Sequence, residues 1–166
     1  MMKITNIKNL ILKNKNVLII DKFCDNTLDF VAKNISSNQY IVVFSPNEND
    51  KTSLQNAINL RQICSLCDSL LFVKNRADIA KLACADGILL DNSSIELEKI
   101  KKILDDDMIF GYIFQEASEF DLSLVEKFNL VAFNFINKTD EIQLLNGLKL
   151  NKPYFIFENN QKIILE

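Results

Sequence analysis

The sequence contains no histidine. Imidazole is the usual general base near neutral pH, a common metal ligand and the centre of most catalytic triads. Its absence excludes the enzymes and metal sites that depend on histidine. Any acid–base or nucleophilic chemistry must use Asp, Glu, Lys, Cys or Tyr, or a bound cation.

Long apolar runs and concentrated positive charge are also missing. No run approaches the roughly 18 apolar residues that a membrane-spanning helix requires. Segment 1–15 has lysines inside its apolar stretch and no small-residue cleavage site, which is atypical of a signal peptide. The formal net charge is -3, without the basic stripe of a nucleic-acid binder. We therefore predict a cytoplasmic protein that binds neither nucleic acid nor membranes.

The four cysteines form no pattern typical of a disulfide framework. In the cytoplasm glutathione and thioredoxin keep thiols reduced, so Cys24, Cys64, Cys67 and Cys84 are expected to stay free. Cys64 and Cys67 form a single CxxC motif at helical spacing, without the second pair that is typical of a zinc site. We interpret them as small buried apolar residues and predict no metal there, and the alternative is a cluster of all four cysteines.

Seven short apolar runs recur along the chain, and stretches with helical spacing of apolar residues lie between most of them. The runs comprise residues 17–20, 40–44, 70–73, 87–90, 108–113, 130–135 and 153–157. Most of their starts lie about 22 residues apart, which is typical of successive β/α units in a parallel sheet. The runs lack in-out alternation, as expected of strands buried on both faces. The length of 166 residues suits one such domain, spanning 1–166.

The two ends of the chain indicate which parallel architecture this is. The loop at 21–25 contains no glycine, which the dinucleotide-binding fold needs, so we predict an α/β fold of the TIM-type (β/α) barrel class. Runs 155–157 and 163–165 are about five residues apart, too few for a parallel crossover. We therefore predict a barrel shortened at its C-terminal end, with a hairpin or short strand replacing the last β/α unit. A homo-oligomer would cover an open edge there.

The segment VKNRADIAKLACADGILL, residues 73–90, resembles the thiamine-phosphate synthase and TenI (thiazole tautomerase) superfamily. Members of this superfamily carry a strand that ends in Asn-Asp-Arg, then a short helix, the sequence ADGvH and a polar loop. The resemblance implies a TIM barrel, a role in thiamine biosynthesis, and a site for thiazole or pyrimidine phosphate compounds at the carboxyl ends of the strands.

The charged positions of the family differ in this chain. The Asp of the Asn-Asp-Arg motif and an Asp after the next strand bind magnesium in the family, and they correspond to Asn75 and Ser94. Magnesium needs anionic oxygen ligands to offset its dehydration, so we assign no metal ligands here. A family Gln-x-Arg-x-Lys pattern that binds pyrophosphate corresponds to uncharged residues at 43–47. Magnesium-dependent synthase chemistry is therefore predicted to be lost.

Polar residues that follow the predicted strands are the candidates for ligand binding. They are Lys74, Asn75, Arg76, Asp91, Asn92, Ser94, Lys138 and Thr139. Each group also has a structural interpretation. Arg76 would pair with a carboxylate, and Asn75 would cap the helix that follows. Ser93 and Glu96 match a capping box, and Thr139 is a good N-cap residue.

The phenylalanines of the later strands affect the character of any cavity. Phe110, Phe114, Phe133, Phe135 and Phe155 are expected to fill the mouth or the centre of the barrel. A cavity lined by them would be more apolar than the anion-binding site of the family.

The residues leave two functional hypotheses open. The first is a divergent thiamine-pathway protein that binds a thiazole or pyrimidine compound and at most catalyses a simple step with residues 74–76 and Asp91. The second is a pseudoenzyme, a non-catalytic binding or assembly partner of a thiamine-pathway enzyme. The lost charges favour the second hypothesis, and the motif at 71–94 favours the first.

Overall fold

The predicted parallel sheet is present in the computed structural model, which describes residues 17–36, 40–94, 96–147, 149–150 and 152–157. Its strands are β1 (Val17–Ile20), β2 (Ile41–Phe44), β3 (Leu70–Lys74), β4 (Gly87–Leu90), β5 (Ile109–Phe114), β6 (Leu130–Phe133) and β7 (Tyr154–Ile156). They pair in parallel and in chain order. The sheet curls into a shortened barrel, so the predicted fold class is confirmed. The predicted hairpin after residue 157 lies outside the described residues.

Helices connect successive strands and cover the outer face of the sheet. They are α1 (Thr27–Ile35), α2 (Asp50–Leu66), α3 (Ala77–Leu82), α4 (Leu97–Lys101), α5 (Leu122–Glu126) and α6 (Lys138–Gly147), with a 3-10 turn at Ala117–Glu119. The side chain of Asn49 caps α2 because it accepts a hydrogen bond of 3.0 Å from the Thr52 backbone N–H. Within the described ranges, no helix is long and apolar enough to cross a membrane.

The two faces of the sheet bury separate sets of side chains, because alternate residues of a strand point to opposite sides. Outward-pointing strand residues pack against helix residues such as Val31, Leu60 and Ile79. Inward-pointing residues, from Val17 in β1 to Phe155 in β7, form a second buried cluster made only of residues in or next to the strands. Both faces are therefore apolar, as the missing alternation predicted.

The prediction that five phenylalanines fill the barrel is wrong for four of them. Phe110, Phe114, Phe133 and Phe135 lie on the outward face, beneath the helices. There the rings of Phe114 and Phe133 stack with their centroids 5.8 Å apart. Phe155 belongs to the inner cluster. The interior is therefore lined mostly by aliphatic side chains.

Gly87 makes room for the inner cluster at the start of β4. A Cβ atom there would lie 2.3 Å from the Phe72 ring and 2.8 Å from the Ile109 carbonyl oxygen. Glycine is therefore required by the close approach of β3 and β5 on either side. The preceding residue, Asp86, links the starts of β3 and β4, since its carboxylate accepts a hydrogen bond of 2.9 Å from the Leu71 N–H. The Ala-Asp-Gly sequence thus has a structural role.

All four cysteines are free thiols, and they differ in exposure. Cys64 is buried in α2, Cys24 and Cys67 are partly buried, and Cys84 is exposed. Burial, reinforced by the Asp86 carboxylate, raises the pKa of the Cys64 thiol to about 12. The interpretation as a buried apolar residue is confirmed for Cys64, whereas Cys67 packs against the core but is only partly buried. Among the described residues, no group of three or more Cys, Asp or Glu side chains could hold a metal ion.

Candidate functional site

Polar side chains lie beyond the inner apolar cluster, where the strands end. In β3 the inward-pointing Phe72 is followed two residues later by Lys74, and Leu89 in β4 is followed by Asp91. The same step in β5 leads to Gln115. The three polar side chains meet, because Lys74 and Gln115 both contact the Asp91 carboxylate.

Asp91 is the centre of this group, and only 5% of its surface is exposed. Its Oδ2 atom lies 3.1 Å from Lys74 Nζ and accepts a hydrogen bond of 3.1 Å from Gln115 Nε2. Its Oδ1 atom accepts from the N–H of Ser93 at 3.0 Å and from Ser93 Oγ at 2.5 Å. Burial raises the pKa of Asp91, but hydrogen bonds from Ser93 and Lys74 and the Lys74 charge together outweigh it, so this pKa lies below its ordinary value. Asp91 is therefore an ionised carboxylate with both oxygens in use.

Asn75 joins the loops that follow β3 and β4. Its backbone is left-handed, with a φ of 55°, a conformation that asparagine adopts more readily than most residues. Its Oδ1 atom accepts hydrogen bonds from the Asp91 N–H at 3.2 Å and from the Ser94 hydroxyl. The prediction that Asn75 caps the next helix is wrong, since α3 follows Arg76 without a side-chain cap.

Ser93 and Glu96 do not form the predicted capping box. Helix α4 begins after Glu96, and no side-chain hydrogen bond caps it. The N–H and hydroxyl of Ser93 donate to Asp91 instead. A buried carboxylate without donors costs more than an exposed helix end, whose N–H groups water can satisfy.

A second carboxylate, that of Glu119, closes the rim of the site between β4 and β5. Its Oε1 atom accepts a hydrogen bond from Asn92 Nδ2 at 2.5 Å, and its Oε2 atom accepts from the Gln115 backbone N–H at 2.8 Å. Between β1 and β2, Ser45 Oγ donates to Asp21 Oδ1 at 2.9 Å. The mouth of the barrel is thus lined by polar groups that are tied to one another.

Arg76 is held at the ends of two helices. Its guanidinium donates to Asp78 at 2.7 and 3.0 Å and to Asp50 at 2.9 Å. These carboxylates lie in the first turns of α3 and α2. The predicted pairing of Arg76 with a carboxylate is confirmed, and ligand binding by Arg76 stays a prediction.

Lys138 and Thr139 lie at the start of α6, where both make hydrogen bonds within the protein. Lys138 Nζ donates to both Glu141 oxygens, at 3.0 and 3.1 Å, and to the Phe157 carbonyl at 2.7 Å. The Thr139 N–H donates to Asn137 Oδ1 at 3.1 Å, so the predicted N-cap at Thr139 is wrong and Asn137 has that role. Their predicted contact with a ligand stays untested.

Gln115 and Glu119 are absent from the candidates chosen on sequence. Gln115 carries the same signal as Lys74, because it is the first polar residue after an apolar strand on the inward side. Glu119 carries no such signal, since it reaches the site from a 3-10 turn four residues further on. Its hydrogen bonds with Asn92 and the Gln115 backbone reveal it.

A cavity of about 530 Å³ lies at the opposite end of the barrel, by the amino ends of β3 to β5. Both of its basic side chains are already engaged. Arg61 donates to the Cys84 carbonyl at 2.8 Å and lies 3.2 Å from the Asp86 carboxylate. Lys81 donates to the Ile103 carbonyl at 2.6 Å. Barrels of this class bind substrates at the carboxyl ends of their strands, so this cavity is not the candidate site.

The fold and the polar strand ends define the class of a (β/α)-barrel protein with a site at its carboxyl face. The sequence profile of the family described as thiamine monophosphate synthase matches residues 16–143. The chain therefore belongs to this family, whose members include enzymes of thiamine biosynthesis.

Individual relatives agree with the family profile. The chain is 30% identical over 102 residues to a thiamine-phosphate synthase of Prochlorococcus marinus subsp. pastoris, covering 61% of this chain and 29% of the relative. It is 27% identical over 126 residues to that of Fusobacterium nucleatum, covering 74% and 59% respectively. It thus spans less than two thirds of these relatives. The thiamine phosphate pyrophosphorylase structure from Pyrococcus furiosus shares the fold, with a TM-score of 0.71, 19% identity, and coverage of 89% of this chain and 77% of that one.

The residues at the site do not fit the magnesium ion that the family implies. Asn75 Oδ1 already accepts two hydrogen bonds, one of them from Ser94. The remaining carboxylate, Asp91, has an ammonium group 3.1 Å from its Oδ2 atom. A divalent cation bound to Asp91 would displace or repel Lys74, and magnesium prefers carboxylates that are free to coordinate it.

Proposed function

We propose that this chain binds a thiazole or pyrimidine compound at the carboxyl ends of β3 to β5, and that it is a divergent family member without the magnesium-dependent synthase reaction. Family membership supports the class of ligand, and the polar group around Asp91 supports the place. The hydrogen bond between Asn75 and Ser94 carries the proposal, because it occupies the two positions at which the family has metal-binding Asp. A neutral pair that satisfies itself provides no cage for a cation.

The polar group is better suited to binding than to proton transfer. Both oxygens of Asp91 accept hydrogen bonds, and the lowered pKa makes this carboxylate a weak base. The ammonium of Lys74 is held by the same carboxylate. Amide groups such as those of Gln115 and Asn92 can orient a heterocycle by hydrogen bonding without changing their own protonation.

Isothermal titration calorimetry tests the proposal with the thiazole alcohol and its phosphate and with the pyrimidine alcohol and its pyrophosphate, each with and without magnesium. We expect at least one compound to bind with an affinity that magnesium does not change, and no release of pyrophosphate. Gln115→Ala should weaken binding about three- to tenfold, the effect of one lost hydrogen bond. Gln62→Ala, an exposed change on α2, is the matched control and should bind as the wild type does.

The outcomes separate the two functional hypotheses. Magnesium-dependent release of pyrophosphate would show that the synthase reaction survives despite Asn75 and Ser94. The absence of heat with all four compounds would overturn the proposed site and leave the non-catalytic partner as the remaining hypothesis. Equal weakening by Gln115→Ala and Gln62→Ala would place the ligand elsewhere.

A further inference from the structure

Three large apolar side chains are exposed around the cavity of about 530 Å³ at the amino ends of β3 to β5. Leu66, Leu82 and Ile103 are 87%, 64% and 45% exposed. Each lies at the end of a helix or in the loop after it, within two residues of a residue that lines the cavity. Single exposed apolar residues are common, whereas a group of them around a cavity is typical of an interaction surface. We call the cavity and these three residues the amino-end surface.

The floor of the cavity is apolar as well. It includes the buried side chains of Cys64, Leu70 and Met108. The two basic side chains of its wall, Arg61 and Lys81, make hydrogen bonds within the protein, as described above. Apolar side chains of an occupant would therefore find apolar partners on both the floor and the rim.

The loops around the amino-end surface are acidic. The three loops that precede β3, β4 and β5 contain one lysine, Lys102, and five aspartates: Asp68, Asp86, Asp105, Asp106 and Asp107. Within the described part of the chain, Asp86 is the one aspartate of the five that forms an ion pair, and its partner is Arg61. The other four favour a basic occupant, and they would repel the same surface of a second copy.

We propose that residues 1–16 of the same chain bind the amino-end surface. This segment contains four lysines and no acidic residue. Ile4, Ile7 and Ile11 recur in it at a spacing that is typical of an amphipathic helix. The segment thus combines an apolar stripe with positive charge, and these two properties complement the apolar cavity and its acidic loops.

The segment is long enough to reach this surface. It leads into β1 at Val17, and the strands of a parallel sheet all begin at the same edge. Neighbouring strands lie about 4.8 Å apart, so the start of β1 is about 10 Å from the start of β3 and about 15 Å from that of β4. Four or five extended residues span this distance at roughly 3.3 Å each, so residues up to Leu12 can contact the surface. This inference concerns the opposite end of the barrel from the proposed ligand site and goes beyond the proposed function.

The cysteines of the full chain report whether the amino-end surface is covered. Cys84 is exposed and lines the cavity, Cys64 is buried, and Cys24 follows β1 at the opposite end of the barrel. The chain is treated with N-ethylmaleimide, an uncharged thiol reagent, and the rate constant of each cysteine is measured by mass spectrometry. The ratio of the Cys84 rate to the Cys24 rate reports local coverage, and reaction of Cys64 reports global unfolding.

Removing the apolar stripe should uncover Cys84. The double variant Ile7→Ser with Ile11→Ser is expected to raise the ratio about tenfold, because a segment that covers the cavity most of the time would be released. Asn9→Ser changes a polar residue of the same segment outside the stripe, so it is the matched control and should leave the ratio unchanged. Cys64 should stay unreactive in both variants.

Carbodiimide coupling tests the contact in the unaltered chain, since it joins a lysine amine to a carboxylate that lies against it. We expect amide links from Lys3, Lys8 or Lys13 to Asp105 or Asp107. In a mixture of isotopically labelled and unlabelled chains, these links should join residues of one chain.

Several outcomes would overturn the proposal. An unchanged ratio in the double variant, or a ratio that Asn9→Ser raises equally, would show that the stripe does not cover the cavity. Links found only between different chains would assign the surface to the segment of a second copy. If the double variant exposes Cys64 and is therefore unfolded, coupling in the wild type decides, and the absence of links to the five aspartates would overturn the proposal.

Discussion

The side chains of Asn75 and Ser94 are hydrogen-bonded to each other across the loops that follow β3 and β4. The motif resemblance implies that they stand at the two positions where the family has magnesium-binding Asp. An amide oxygen and a hydroxyl attract each other directly, whereas two carboxylates at the same separation would repel unless a cation lay between them. The two loops are therefore joined by a direct contact between neutral side chains.

Introducing a carboxylate at both positions should make the protein sensitive to magnesium. The double variant Asn75→Asp with Ser94→Asp is expected to lose about 1–2 kcal/mol of stability without metal, because two new charges face Asp91. Millimolar magnesium should raise its thermal midpoint and leave that of the wild type unchanged. The double variant Asn59→Asp with Ser65→Asp on α2 controls for added charge. If magnesium does not raise the thermal midpoint of the variant at positions 75 and 94, the loops cannot hold the ion.

Breaking the ion pair between Lys74 and Asp91 should destabilise the fold. Lys74→Met leaves a buried carboxylate without its counter-charge. Because the Lys74 side chain is 28% exposed, solvent screens part of this interaction, and we expect the free energy of unfolding to fall by about 2 kcal/mol. Adding Asp91→Asn should recover part of that loss. Urea denaturation of the single and double variants measures the coupling. Lys101→Met, which breaks a surface pair of 3.7 Å, should cost less than about 0.5 kcal/mol.

The lowered pKa of Asp91 predicts a loss of stability in acid. The folded protein holds this carboxyl below its ordinary pKa of 3.8, so the unfolded chain takes up the proton first as the pH falls. The contribution of Asp91 is complete above the unfolded value and disappears as the pH drops through the folded one. Between about pH 6 and pH 3, the free energy of unfolding should therefore decrease less steeply in Asp91→Asn than in the wild type. Parallel pH profiles would contradict this assignment.

A methyl group at Gly87 should be poorly tolerated. Its Cβ atom would approach the Phe72 ring to 2.3 Å and a backbone oxygen to 2.8 Å, so the strands must shift. Gly87→Ala is expected to cost about 2–4 kcal/mol in urea denaturation. Gly147→Ala has open space around the new atom and should be neutral or slightly stabilising. If both changes altered the free energy of unfolding equally, the strands around Gly87 would be able to shift and accommodate the new methyl group.

The strands were predictable because each is a short apolar run bounded by polar or turn-forming residues. Residues 17–20 and 87–90 match β1 and β4 at both ends, and the predicted 108–113 differs from β5 by one residue at each end. The family motif was recognisable because its residues are consecutive in the chain, although Asp86 and Gly87 act through contacts with the neighbouring strands. The strands and the motif are both patterns of consecutive residues, which is why the sequence revealed them.

The helix caps were harder to predict, because a capping side chain can find a better partner in another loop. Asn75, Ser93 and Thr139 all belong to residue types that favour helix starts. Asn75 and Ser93 instead contact the group around Asp91, and the Asn137 side chain caps α6 in place of Thr139. A buried carboxylate competes more strongly for donors than an exposed helix end does.

The pattern of apolar runs and connecting helices was enough to predict a parallel β/α barrel, and the motif at 73–90 was enough to indicate its family. It could not establish which side of each strand faces the interior, because runs that are apolar throughout look the same from both sides. Curling of the sheet breaks that symmetry. It puts Phe114 under the helices and turns Lys74, Asp91 and Gln115 inward. The Lys74–Asp91 ion pair and the Asn75–Ser94 contact follow from that choice of side, since each joins residues that are distant in sequence.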